Sequence, residues 1–102
     1  MSTIRSVIPV LVEHALVALG SRIAIARKAR GLTQADLAQL ADVGVSTVAS
    51  AESGYHGVST GNFLKVLKGL DLLDEVDKWL DAARDPAVVG FATKTLAGRR
   101  GR

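Results

Sequence analysis

Apolar positions return every three or four residues at Val12, Ala15, Leu16, Leu19, Ile23 and Ala26, the spacing of one helical face. Pro9 stands where such a helix opens and Gly31 where it stops, so the pattern predicts one long helix to Arg30, kinked or divided at Gly20. Its first part is apolar nearly all round, through Val7, Ile8, Val10, Leu11, Val12 and Val17. A helix of that kind needs burial, for which a second copy of the chain would serve. Thr33 with Asp36 three residues on is a capping box with Asp in place of Glu, and it opens a second helix carrying Leu37, Ala38, Leu40 and Ala41. After Asp42–Val43–Gly44 a third helix is expected from Val45 to Glu52, with Gly44 as N-cap and Gly54 as terminator. A polar loop, Ser53–Ser59, follows. Thr60 is expected to cap a fourth helix with Phe63, Leu64, Val66, Leu67 and Leu70 at helical spacing. Leu72, Leu73, Val76, Trp79, Leu80 and Ala83 mark a fifth, amphipathic helix ending before Pro86.

The fold class expected is therefore all-α: a compact five-helix domain over residues 19–84, an N-terminal helical extension over 1–18 and a flexible basic C-terminal tail over 85–102. Composition agrees. Hydrophobic residues are 48% of the 102, mostly Ala, Leu and Val, with two prolines and only Tyr55, Phe63, Trp79 and Phe91 as aromatics. That balance favours helix and excludes a disordered chain. There is no cysteine, hence no disulfide framework, thiolate metal site or cysteine nucleophile.

The net charge of +3 is unevenly spread. Residues 1–70 hold seven bases and four acids, 71–85 hold six acids and two bases, and 86–102 hold four bases and no acid. A basic working face, an acidic face turned elsewhere and a basic tail are the arrangement this implies. The apolar stretch after Arg5 is interrupted by Glu13 and His14, so neither a signal peptide nor a membrane span is expected, and the location expected is cytoplasmic.

Two short helices joined by a three-residue turn are the elements of helix-turn-helix DNA recognition. Gln34 begins the motif, Ala38 sits where the second helix must approach closely, and Val48 and Ala51 give the third helix its core face. On these residues the stretch RKARGLTQADLAQLADVGVSTVASAESG resembles the Cro/repressor-like (XRE) helix-turn-helix family, and the similarity extends over residues 19–70. The resemblance implies a lambda-repressor-like fold and double-stranded operator DNA as partner. It also implies a salt bridge between Arg27 and Glu52, with Arg27 a possible phosphate contact. Three positions depart from the family pattern. Asp42 replaces the usual turn Gly, and Gly44 replaces a Ser or Thr cap. The outward face of the third helix, Val45, Ser46, Thr47, Ala49 and Ser50, lacks the long amide and guanidinium side chains that read base edges. Readout then falls to hydroxyls, to thymine-methyl contact from Val45, and to DNA shape.

The DNA-facing residues expected are Thr33, Gln34, Val45, Ser46, Thr47, Ser50, Tyr55, His56 and Lys65, with Ser59, Thr60 and Asn62 as further phosphate contacts. Residues 55–86, YHGVSTGNFLKVLKGLDLLDEVDKWLDAARDP, are similar to antitoxins encoded beside Hip-type toxin kinases. That resemblance implies a homodimer that represses its own operon and binds a kinase-like toxin. A stand-alone phage-type or host repressor is the alternative, as is an interaction module without specific readout. No catalytic activity and no cofactor are expected. The two histidines are far apart and no phosphate loop or H-E-x-x-H motif is present. Asp74, Asp77 and Asp81 share a helix face without the turn glycine of a metal loop, so no metal is expected either.

Overall fold

In a computed structural model, the structure describes residues 7–100, with side chains to residue 98. Residues 1–6 of the expected extension and 101–102 of the tail lie outside the described residues. Five α-helices and two 3-10 helices follow one another with no strand among the described residues: α1 (Val10–Ala29), α2 (Gln34–Ala41), α3 (Val45–Ser53), α4 (Thr60–Gly69), 3-10 helices at Leu73–Lys78 and Ala82–Arg84, and α5 (Pro86–Arg100). The architecture is the expected all-α one.

The core is small and draws on the first four helices. Leu37, Val48, Val66 and Leu70 are fully buried, with Ile23, Ala38, Ala41, Ala51 and Leu67 around them. Leu37 and Ala41 come from α2, Val48 and Ala51 from α3, and Val66 and Leu67 from α4, one apolar stripe from each helix. α1 packs on α3, while α2 packs on both α3 and α4.

Gly20 neither kinks nor divides α1, which is continuous from Val10 to Ala29. Its role is a crossing point. A Cβ built on Gly20 would lie 2.6 Å from the Ala51 carbonyl oxygen of α3, closer than a real Cβ contact permits. The same crossing needs Gly54, whose φ of 80° closes α3 in the left-handed region. A Cβ there would lie 2.7 Å from the Val17 Cα.

Four local expectations change. Ser59, not Thr60, caps α4: its hydroxyl accepts from the Asn62 amide at 3.0 Å. α3 runs to Ser53, one residue past Glu52. The fifth helix expected over 72–85 is replaced by the two 3-10 helices, because the backbone turns left-handed at Asp71 (φ 62°) and Leu80 (φ 57°). Asp74, Glu75 and Asp77 also crowd one short segment with like charge, and Asp competes for helix ends better than for helix interiors. Finally, Pro86 starts a helix and does not end one. The Asp85 carboxylate accepts from the Ala87 amide at 2.9 Å, Pro86 occupies the first helical position where its missing N–H costs nothing, and the tail is helical as α5.

Candidate nucleic-acid interface

The turn between α2 and α3 is built by local chemistry. Thr33 caps α2 and accepts from the Asp36 amide at 3.0 Å, while the Thr33 amide donates to the Asp36 carboxylate at 2.9 Å. These bonds from the Thr33 backbone and side chain hold the Asp36 carboxyl below its ordinary range. α2 ends on Asp42, left-handed at φ 55° and ψ 50°, and the Val43 amide donates to the Ala38 carbonyl at 3.0 Å. Asp adopts this backbone more readily than most residues do, so the chain turns here without a glycine. Gly44 then enters α3 with extended backbone and no side-chain cap bond.

α3 is anchored from below by a polar cluster. Arg27 Nε donates to Glu52 Oε2 at 2.6 Å, and the second guanidinium contact to Oε1 is 3.0 Å. A third arm of Arg27 donates to the Leu32 carbonyl at 2.8 Å. Gln34 Nε2 donates to the same Glu52 carboxylate at 3.1 Å. The Arg27 and Glu52 side chains are only 11% and 7% exposed. Burial pushes the Glu52 carboxyl up, but the bonds from Arg27 and Gln34 and the charges of Arg27 and Lys28 outweigh it and hold it low. The bond to Glu52 raises the Arg27 guanidinium above its ordinary value despite burial. Three of the five Arg27 N–H donors are thus taken up inside the fold.

Above this anchor the solvent face of α3 presents Val45, Ser46, Thr47 and Ser50, with Val45 47% exposed. A shallow polar hollow joins Ser46, Thr47 and Ser50 to Tyr55, Ser59 and Asn62. Its walls are therefore the first turns of α3 and α4, with the loop between them, and a phosphate chain could run between two helix N-termini there. Thr33 and Gln34 lie at the start of α2, their side chains engaged by Asp36 and Glu52. Of the expected residues, Thr33, Gln34, Val45, Thr60, His56 and Lys65 do not line the hollow. His56 stacks obliquely on Tyr55, ring centroids 5.1 Å apart, and faces the apolar side with Leu16 and Trp79. Lys65, on α4, reaches back to the turn, its Nζ 3.8 Å from the Asp42 carboxylate. The bonds of Arg27 to the Leu32 carbonyl and of Gln34 to Glu52 had no signature in the sequence, since both depend on how α1 and α3 cross.

Among the described residues no three acids or histidines come together in a way that could hold a metal ion, and no helix is long and apolar enough to cross a membrane.

All-helical architecture, a three-residue turn entered through left-handed Asp42 and a hydroxyl-lined helix beside a polar hollow define a helix-turn-helix domain. The model of the Helix-turn-helix family (HTH_3) matches residues 23–76, and the chain belongs to that family, the XRE-type DNA-binding regulators. No curated protein and no solved structure matches the chain.

Proposed function

We propose that the protein is a sequence-specific transcriptional repressor that binds operator DNA as a homodimer, inserting α3 in the major groove. The observation that carries this is the continuity of the α3 hydroxyl face with the polar hollow at the start of α4. A duplex laid across α3 would meet base edges at Val45, Ser46, Thr47 and Ser50. Tyr55, Ser59, Asn62 and the start of α2 would take phosphates. Short side chains limit direct base discrimination, so shape and half-site spacing carry much of the specificity.

The test is titration of the chain against the DNA upstream of its own gene and against a scrambled duplex. Preference for a palindromic site is expected. Equal, steeply salt-dependent binding to both duplexes would show charge-driven association without readout and leave an interaction module. Ser46→Asp combined with Thr47→Asp should abolish operator binding while melting within about 0.5 kcal/mol of wild type, because both positions lie on the helix surface. Unfolding of that variant would show that these residues are structural.

The finer reading is an antitoxin that represses its own operon in the cytoplasm and neutralises a kinase-like toxin. Its support is the resemblance of residues 55–86. A kinase-like neighbouring gene whose product co-purifies with this chain is the expected finding. Its absence would leave a stand-alone repressor.

A further inference from the structure

Two of the apolar surfaces this chain leaves exposed fit each other. The first is a groove between α1 and α4. Leu19 and Phe63 form its open floor over the buried Leu67 and Leu70, and Trp79 and Leu72 its wall. The Phe63 and Trp79 rings lie 6.2 Å apart, and Trp79 remains 45% exposed. Upstream an apolar hollow lined by Leu16, Leu19, Phe63 and Trp79 adjoins it, and Val12 extends the line Val12, Leu16, Leu19, Ile23 and Ala26, spaced at alternating steps of four and three, by one turn. The second surface is α5. Val88, Phe91, Ala92 and Leu96 share one side of it, opposite Gly90, Thr93, Lys94 and Ala97. Phe91 is 71% exposed. α5 packs on the short 3-10 helix Ala82–Arg84 and stands away from the helix-turn-helix core.

We infer that the groove is filled by α5 of a second copy of this chain, giving a reciprocal, helix-swapped dimer. Length agrees: the line from Val12 to Ala26 spans about 21 Å and the 15 residues of α5 about 22 Å at 1.5 Å per residue. Charge agrees as well. Arg22 and Glu75 are the charged residues that line the groove; the segment 71–85 that supplies its wall holds six acids and two bases, and residues 86–102 carry four bases and no acid. The complementarity is thus one of whole segments, a basic tail beside the other copy's acidic segment. Connection is the third argument. Leu80 is left-handed and fully exposed, and the segment after it carries α5 away from its own groove. The radius of gyration is 18.5 Å, against about 13 Å for a closed chain of this length. Two such open protomers close on each other around a two-fold axis and leave no surface for a third.

The inference deepens the homodimer of the proposed function, and it rests on that reading only for the use made of the dimer. Wild type has no cysteine, so single thiols are clean probes. Full-length Leu19→Cys and Ala92→Cys chains, one bearing a mass tag, are mixed and treated with a short bismaleimide, since Ala92 lies about midway along α5 and Leu19 about midway along the Val12–Ala26 line. A cross-linked heterodimer is expected, and wild type should sediment as a dimer without DNA. In the Leu19→Cys/Ala92→Cys double variant, links should join two chains. Phe91→Asp should weaken association about tenfold or more, as loss of a central aromatic anchor does, while its helical signal persists. A wild-type monomer at the highest soluble concentration, links confined within one chain, or a dimer indifferent to Phe91→Asp would each overturn the swap. Operator titration separates the two ideas. Cross-linking without site preference sinks the repressor and leaves the swap, and site preference without cross-linking does the reverse.

Discussion

The two halves of α1 have opposite fates, and the more hydrophobic half is the exposed one. Val10, Leu11 and Val17 are 61%, 81% and 51% exposed, although residues 7–19 are apolar nearly all round. The second half contains Ser21, Arg22, Arg27 and Lys28 yet supplies all three buried positions of the helix, Gly20, Ile23 and Arg27. Hydrophobicity alone does not bury a helix. Burial needs a neighbour that can come close: Gly20 lets α3 approach this half to backbone distance at Ala51 and Glu52, while the Gly54 end of α3 meets the first half only at Leu16 and Val17. It also needs partners for whatever polar group is enclosed, and Glu52, Gln34 and the Leu32 carbonyl supply them for Arg27.

The largest break in that contrast is at the crossing itself. Gly20→Val places a branched side chain against the backbone carbonyls of Ala51 and Glu52, which no rotamer change relieves. The expected loss is about 3 kcal/mol or more, a large part of the stability of a domain this size. Thermal melting followed by circular dichroism measures it. A variant that melts with wild type would mean that α1 and α3 do not cross at this residue.

Next in size is the enclosed charge. Glu52→Ala leaves the Arg27 guanidinium buried without its counter-ion, at a cost of about 1–3 kcal/mol. That corresponds to about 4–8 °C in melting temperature per kcal/mol. Arg27→Met with Glu52→Leu should cost less than the single Glu52 change, since replacing a buried pair by apolar groups is often near neutral. The pH dependence carries a sign. Because the folded state holds the Glu52 carboxyl below its ordinary value of 4.5, the stabilisation is present above that pH. It is lost as pH falls through the folded value. The stability gap between wild type and Glu52→Gln should therefore be widest near neutrality and narrow on acidification. A gap that widens below pH 4.5 would contradict the pairing.

Both halves of this comparison bear on what a sequence discloses. The capping box at Thr33 and Asp36 and the Gly54 stop are local, so the residues themselves announce them, whereas the turn at Asp42 is legible only through the family resemblance; α2 and α3 stand where the pattern puts them. Gly20 was visible as an oddity but not as a crossing, because its meaning lies in the backbone of residues 51 and 52. Segment 72–85 misled for a related reason. Its apolar spacing is helical, yet the backbone reverses at Asp71 and Leu80, and Pro86 suits the end of one helix or the start of another equally well. At the candidate interface, the hydroxyl face of α3 follows from helix periodicity. The placing of His56 on the apolar side and of Lys65 beside Asp42 depends on how the loop after α3 packs.

The smallest effect is expected on the exposed half. Leu11→Gln replaces a side chain that touches little, so stability should stay within about 0.5 kcal/mol of wild type. The neighbouring position sharpens the comparison. Leu11 sits about 100° around the helix from Val12, and Val12 lies on the line that continues through Leu16 and Leu19 into the groove. If α5 of a second copy lies along that line, Val12→Gln should weaken self-association in sedimentation while Leu11→Gln leaves it unchanged, with both variants equally stable when dilute. A fall of more than about 1 kcal/mol for Leu11→Gln in the monomer would mean that the first turns of α1 are enclosed after all. The contrast between the two halves of the helix would then rest on which neighbour covers each.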